Sequence, residues 1–173
     1  GYTRGFEAWR AYLESSIDRY SPPEAASGYI FFPLSALGVF VPGENSAPLE
    51  AKLEDCLSVL KEFNGDIHTI FKPHAKTDVD GVVQILDKIG FTNYSISYVH
   101  PWMLLHQAKF VFSYHPTSVL IDAYYCGKAT VEYAHYDSRF LEFNGGEPRY
   151  LECIDYFAHR DLDKLRSILE LLI

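Results

Sequence analysis

The stretch Lys109–Tyr133, KFVFSYHPTSVLIDAYYCGKATVEY, alternates between strand and helix patterns. Its apolar run Phe110–Phe112 is typical of a strand buried on both faces, and Thr130–Tyr133 is rich in β-branched and aromatic residues. A short helix fits between them, because Pro116 needs no amide in a first helical turn and Gly127 supplies a usual stop. This order predicts two parallel strands joined by a helical crossover.

The same alternation extends along the rest of the chain. Strands are predicted at Tyr29–Phe32, Ile67–Phe71, Tyr94–Tyr98, Phe110–Phe112, Thr130–Tyr133 and Ile154–Phe157. Amphipathic helices are predicted at Phe6–Ile17, at Leu49–Phe63, from a Thr77 cap to Gly90, near Pro101–Gln107 and after an Asp161 cap. Such a pattern with short connections predicts a three-layer α/β domain with a mostly parallel sheet of about six strands.

The chain divides into two parts by composition. Residues 1–27 are expected to form an amino-terminal helix and a connection rich in proline, in which Ser21-Pro22-Pro23 ends the helix. Residues 28–173 are expected to form the α/β domain. Within that domain, Ala134–Tyr150 is predicted to be a long loop with a turn at Asn144-Gly145-Gly146.

Composition and charge limit the classes of protein that this chain can represent. With 173 residues and 48% hydrophobic content it can bury a core, and no apolar run reaches the length of a membrane span. A net charge of −8 without a basic cluster argues against a nucleic-acid surface. The three cysteines lack metal-type spacing and lie in apolar patterns, which favours buried free thiols over a zinc site. A cytosolic globular protein with a small ligand is expected.

A candidate anion site lies between the first strand and the helix of the opening stretch. His115, Thr117 and Ser118 fall at the carboxyl end of a predicted strand and the start of a helix, where unpaired amides favour an anion. Ser118 and Asp122 are four residues apart, so a phosphate at the first turn would leave a nucleoside sugar near the second. The alternatives are that Thr117 and Ser118 only cap the helix and that Asp122 is a solvated surface residue.

Three segments in this order carry a resemblance to a known family: IFKPHAKTD, YVHPWMLLHQAKFVFSYHPTSVLIDAYYCGKATVEY and YLECIDYFAHRDLDKLRSILELL. Together they resemble the carboxyl-terminal half of a GT-B glycosyltransferase, a Rossmann-like domain, over roughly residues 28–173. The resemblance extends to enzymes of capsule and surface polysaccharide synthesis, including sialyltransferase-like and glycerophosphotransferase-like proteins. The resemblance implies that this half binds the nucleotide of an activated sugar.

The resemblance also implies roles for individual residues. Lys72-Pro73-His74 is similar to a turn whose histidine contacts the donor phosphate, although Ala75 replaces the second proline of that turn. Thr117-Ser118 resembles a phosphate-binding pair of hydroxyls. Asp122, five residues before Gly127, resembles the acidic residue that accepts hydrogen bonds from ribose hydroxyls.

The resemblance further implies the partners. The donor is a nucleotide-sugar, the acceptor is a glycan or a lipid-linked molecule, and no metal cofactor is expected. An amino-terminal domain outside this sequence would supply acceptor contacts and the catalytic base, so the isolated segment is expected to be inactive. The protein is expected in the cytoplasm, as a peripheral protein at the inner membrane face in one form of this hypothesis.

Other functions stay open at the level of sequence. A non-catalytic α/β binding or assembly module would explain Ala75 and the missing half, and a nucleotide-sugar epimerase-like protein would share the fold. Glu132 and Asp137 flank His135 and could form an acid–base group, although loop polarity explains them more simply. A serine hydrolase is disfavoured because Ser118 lacks the GxSxG elbow.

Overall fold

A six-stranded sheet organises the computed structural model of this chain, which describes residues 6–20, 28–34, 49–136 and 138–173. The strands are β1 (Tyr29–Pro33), β2 (His68–Lys72), β3 (Tyr94–Ile96), β4 (Ala108–Ser113), β5 (Ala129–Ala134) and β6 (Tyr156–His159). The helices are α1 (Glu7–Glu14), α2 (Ile17–Tyr20), α3 (Leu49–Leu60), α4 (Val79–Ile89), α5 (Pro101–Leu105), α6 (Val119–Tyr125), α7 (Ser138–Phe143) and α8 (Leu162–Leu172). Single 3-10 turns follow α3 at Lys61–Phe63 and precede β6 at Leu151–Cys153.

All the strand pairs are parallel, in the order β3-β2-β1-β4-β5-β6. The predicted fold class, an α/β domain with a mostly parallel sheet of six strands, is confirmed. The direction in which strands are added to the sheet reverses after β3. β2 and β3 lie on one side of β1, whereas β4 to β6 lie on the other. A ligand crevice is expected where this reversal occurs, outside the carboxyl ends of β1 and β4.

Helices cover both faces of the sheet. One apolar cluster joins the sheet to α3, α4 and α8 through residues such as Leu57, Leu86 and Leu169. The opposite cluster joins it to α5 and α6 through residues such as Leu104 and Leu120. The central strand β1 is buried along its length, which is why its sequence is an uninterrupted apolar run.

Two of the predicted helix starts are wrong by a few residues. Asp78 caps α4 in place of Thr77, and its carboxylate accepts a hydrogen bond from the Gly81 amide at 3.1 Å. The Thr77 hydroxyl instead accepts from the His74 amide at 2.9 Å, which fixes the preceding turn. Pro116 lies before the first turn of α6, because that helix begins only at Val119. The predicted Asp161 cap of α8 is confirmed by its 2.8 Å bond from the Lys164 amide.

The amino-terminal helix is shorter than predicted and packs through one buried residue. The predicted helix is broken into α1 and α2, and only Leu13 of α1 is buried, against Trp102 and Met103 of α5. Phe6 and Trp9, which lie at helical spacing from Leu13, are exposed. α1 therefore packs on a helix rather than on the sheet, and Ser21-Pro22-Pro23 lies outside the described residues.

The segment predicted as a long loop contains secondary structure. α7 occupies Ser138–Phe143, and a helix of six residues is too short to give a clear periodic pattern. The predicted turn is confirmed, since Gly145 and Gly146 have φ angles of 69° and 88°.

The cysteines are free thiols: Cys56 is buried, whereas Cys126 and Cys153 are only half-buried. In the described part of the chain, every helix is too short or too polar to span a membrane.

Candidate functional site

The predicted site residues are brought to one edge of the sheet. Lys72 is the last residue of β2, and His74 follows it. His115, Thr117 and Ser118 follow the end of β4 at Ser113. Because both strands run parallel to β1, their carboxyl ends meet at one edge, so the expected shared edge is present.

His115 is the most deeply buried imidazole of this edge. Its side chain is 7% exposed, and its Nδ1 atom has no hydrogen-bond partner among the described residues. Ser113 fixes the backbone of this turn, because its hydroxyl donates to the His115 carbonyl and accepts from the His115 amide. Burial first, and then the charges of His74 and Lys52, lower the pKa of His115 to about 3. The imidazole is therefore neutral near pH 7 and offers an unused polar atom.

Lys52 of α3 belongs to this edge, although it was not predicted from the sequence. Its side chain is 1% exposed, and its charge contributes to lowering the pKa of both His115 and His135. The sequence does indicate that Lys52 is buried. It lies three residues after Leu49 and four before Cys56, on the apolar face of the helix. Lysine is seldom fully buried, so a lysine on the apolar face of a helix indicates a specific role for its charge.

The turn after β2 is held in shape by its own hydrogen bonds. The ammonium group of Lys72 donates to the Pro73 carbonyl at 3.1 Å, and half-burial lowers the pKa of this lysine. The side chain of His74 is exposed, and its Nδ1 atom accepts from the Lys76 amide at 3.2 Å. The imidazole of His74 is therefore accessible to solvent at the surface of this turn.

The start of α6 does not show the expected capping bond. Ser118 occupies the cap position with helical angles, and its hydroxyl makes no capping hydrogen bond to the helix. The Thr117 hydroxyl accepts from the Val119 amide at 3.4 Å, a distance at which the bond is weak. Ser118 therefore makes no side-chain capping bond in this structure, whereas Thr117 makes a weak one.

Asp122 lies one turn further along α6 and is buried, with 1% of its surface exposed. The alternative in which it is a solvated residue is wrong. Burial first, and then the charge of Asp122, raise the pKa of Cys126 to about 11, so the carboxylate and the thiol lie close together. A buried carboxylate is costly unless it is bonded, which fits a residue with a defined role.

The end of β5 contributes a second set of polar groups to the edge. Glu132 is fully buried and pairs in register with Ser113, and the hydroxyl of Tyr136 donates to its carboxylate. The Nε2 atom of His135 lies 2.7 Å from the hydroxyl oxygen of Tyr133. Glu132 is therefore a core strand residue rather than a polar loop residue, while Asp137 lies outside the described residues.

Sequence comparison gives no relatives: no protein-family model matches the chain, and no curated protein is significantly similar to it. Solved structures do show a likeness. One is the crystal structure of Methanocaldococcus jannaschii UDP-GlcNAc 2-epimerase in complex with UDP-GlcNAc and UDP, with a TM-score of 0.52 and 17% identity over 98% of this chain. Another is a glycosyl transferase family 9 protein from Veillonella parvula, with a TM-score of 0.53 and 11% identity over 96% of this chain.

The chain spans 42% of the length of the epimerase and 52% of the length of the glycosyl transferase. At these identities the likeness concerns the fold alone. The chain is accordingly a Rossmann-like α/β domain whose structural neighbours are of the GT-B type.

Proposed function

We propose that these residues bind the nucleotide of an activated sugar donor as one part of a glycosyltransferase. The single observation that carries the proposal is the unpartnered Nδ1 atom of buried His115 at the crevice between β1 and β4. A buried polar atom without a partner costs free energy, and a ligand at the crevice would remove that cost. The glycosyl transferase neighbour supports this reading through its fold.

The donor phosphate is assigned to the polar groups that follow β2 and β4 at the same edge of the sheet as His115. Lys72 and His74 approach from the turn after β2, and Thr117 and Ser118 from the start of α6. As the acceptor hydroxyl loses its proton to a base and its oxygen forms a bond to the anomeric carbon, the bond between the sugar and the phosphate breaks and its electron pair leaves with the phosphate oxygen. Fixed donors stabilise the developing negative charge without reorganising, so this scheme uses no metal cofactor.

Asp122 is assigned to the ribose of the same nucleotide. It lies one turn beyond Ser118 on α6, so a nucleotide whose phosphate lies at the helix start would extend toward it. A carboxylate accepts hydrogen bonds from both ribose hydroxyls, which is the role implied by the family resemblance.

Acceptor binding and the catalytic base are assigned to residues outside this sequence. Because the neighbours are about twice as long, an additional amino-terminal domain would bind the glycan or lipid-linked acceptor and supply the catalytic base. We assign the complete enzyme to surface or capsular polysaccharide synthesis in the cytoplasm, peripheral to the inner membrane face. The first of these assignments is tested by the acceptor that the complete enzyme uses, and the second by cell fractionation.

The proposal is tested by calorimetric titration of the chain with UDP, CDP, CMP and GDP. One nucleotide should bind, and His115→Ala should weaken that binding by about 1–3 kcal/mol, because a hydrogen bond to the phosphate is lost. Asp122→Asn should weaken nucleotide binding but leave the affinity for inorganic phosphate unchanged. Leu171→Ala, at an exposed residue in the last turn of α8 and away from the carboxyl edge, is the control. Absence of binding by all four nucleotides would favour the non-catalytic module.

A second candidate function is epimerisation of a nucleotide-sugar. It is favoured by one observation, the likeness over 98% of this chain to an epimerase solved with UDP-GlcNAc and UDP. The two functions differ in their need for an acceptor. Inversion at C2 of UDP-GlcNAc without any acceptor, followed by proton NMR, would identify an epimerase and overturn the glycosyltransferase proposal.

A further inference from the structure

A groove lies far from the carboxyl edge, between the end of α6 and the 3-10 turn before β6. Its larger lobe has a volume of about 530 Å³ and is lined by Tyr124, Tyr125, Tyr150 and their neighbours. Its smaller lobe has a volume of about 400 Å³ and reaches the first residues of β5 and β6, Ala129 and Tyr156. Tyr124 lines both lobes, so we name the whole concavity the tyrosine groove. It lies toward the amino edge of the sheet, opposite the nucleotide site.

Aromatic rings in this groove are unusually exposed. Tyr124 and Tyr125 are 58% and 61% exposed, and their ring centroids lie 5.8 Å apart in an edge-to-face arrangement. The guanidinium carbon of Arg149 lies 5.5 Å from the centroid of the Tyr150 ring. This cation–π contact holds the guanidinium group of Arg149 against the Tyr150 ring. Clustered exposed aromatic surface is unfavourable in water and marks a place where a ligand is received.

The charges of the groove select against an anionic ligand. The larger lobe is lined by one cation, Arg149, and one acid, Glu152. The smaller lobe is likewise lined by Lys128 and Asp155. Opposite charges placed together in each lobe cancel at a distance, so a phosphate or a nucleotide gains no net attraction. The same groups can donate to and accept from the hydroxyl groups of a neutral ligand.

The dimensions of the groove point to a small extended molecule. Each lobe has a volume within the range of about 300–1,000 Å³ that is usual for small-molecule sites. A protein partner would instead need a flat area of about 800 Å² on each side. Two neighbouring cavities that share one exposed ring fit a chain of repeated units better than a single compact metabolite.

We propose that the tyrosine groove binds a neutral oligosaccharide, whose chain crosses Tyr124 from one lobe to the other. Pyranose rings have faces of C–H groups that pack on tyrosine rings, and edges of hydroxyls that hydrogen-bond to Arg149 and Glu152. Because the groove and the nucleotide site lie at opposite edges, this inference does not depend on the proposed transfer function. In a polymer-building enzyme, such a site would keep a long glycan bound to the protein at a distance from the site of transfer.

The test is a set of NMR titrations of the full 173-residue chain with maltohexaose, cellohexaose and chitohexaose, which are neutral chains of different linkage. At least one probe should bind to the wild-type chain. Tyr124→Ala and Tyr125→Ala should each weaken that binding by about tenfold, because a stacking surface is lost. Both side chains are exposed, so the variants should fold, and thermal melts check this.

Tyr98→Ala removes another exposed tyrosine outside the groove and should leave saccharide binding unchanged. Titration of the same variants with UDP keeps the two proposals separate, since loss of nucleotide binding would concern only the carboxyl edge. Failure of all three saccharides to bind, or binding that survives the combined Tyr124→Ala and Tyr125→Ala change, would overturn the inference. Tighter binding of an oligogalacturonate, which is anionic, would also overturn it.

Discussion

His115 makes the stability of the domain depend on pH. Its pKa is lowered from 6.5 to about 3 in the folded chain, so the unfolded chain binds a proton first as the pH falls. The free energy of unfolding should be unaffected by this group above pH 6.5 and should decrease as the pH falls toward 3. The slope from this one group is at most about 1.4 kcal/mol for each pH unit. Urea unfolding at pH 7.5, 6.0 and 5.0 measures it.

The variant His115→Asn isolates this contribution from that of the other titrating groups. Asparagine keeps a polar side chain of similar reach but does not titrate, so the decrease between pH 6.5 and 5 should become shallower. Equal slopes in the wild-type chain and the variant would mean that the folded protein accommodates a protonated His115 without cost. The assignment of a neutral imidazole to the ligand site would then be wrong.

Ser118 and Asp78 allow capping to be separated from ligand binding. Both occupy helix cap positions, but only the Asp78 side chain makes the capping bond. Asp78→Ala should lower the free energy of unfolding by about 1 kcal/mol, and Ser118→Ala by clearly less. Ser118→Ala should instead weaken nucleotide binding by about 1–3 kcal/mol. Thermal melts beside calorimetric titrations make the comparison, and the reverse pattern would assign Ser118 to capping.

At the level of elements, Asn64 joins the turn after α3 to the start of β3. Its buried side-chain oxygen accepts from the amides of Thr92 and Asn93, both at 2.9 Å, and its side-chain nitrogen donates to the Asn93 carbonyl at 3.1 Å. Asn64→Ala would leave these backbone groups without partners. It should cost about 2–3 kcal/mol in urea unfolding.

Asn64→Asp is the companion variant, because it keeps the oxygen that accepts from both amides and replaces the donor by a charged oxygen beside the Asn93 carbonyl. It should cost clearly less than Asn64→Ala. If the two variants were equally destabilised, the donated bond to the Asn93 carbonyl would be the important one. The start of β3 would then be held mainly by the side-chain nitrogen of Asn64 and not by its oxygen.

The elements themselves were largely predictable from the sequence, whereas their ends and partners were not. β1 and β4 were found because strands buried on both faces are apolar without interruption. The α4 cap was misplaced because Thr77 and Asp78 are both good caps, and the choice depends on a bond to the His74 turn. The exposure of Trp9 depends on which element α1 meets, and periodicity cannot reveal this.

For the whole molecule, the position of the candidate site followed from the topology more than from any motif. Alternating strands and helices with right-handed crossovers predict that Lys72 and His115 reach the same edge. Lys52 was missed because its role needs the packing of α3 against that edge. The ligand cannot be derived from the fold, since the same architecture serves many activities.

Whether these residues suffice for sugar transfer can be tested on the isolated chain. Both neighbours are about twice as long as this chain, and the donor-binding groups that we propose at the carboxyl edge include no assigned catalytic base. The 173-residue chain should therefore bind its nucleotide but transfer no sugar from a radiolabelled nucleotide-sugar to any glycan acceptor. A longer natural chain with an amino-terminal domain should transfer, and His115→Ala in that chain should reduce transfer because the leaving phosphate loses a donor. Robust transfer by the short chain alone would place the base within these residues, and Glu132 and His135 would be the first groups to replace.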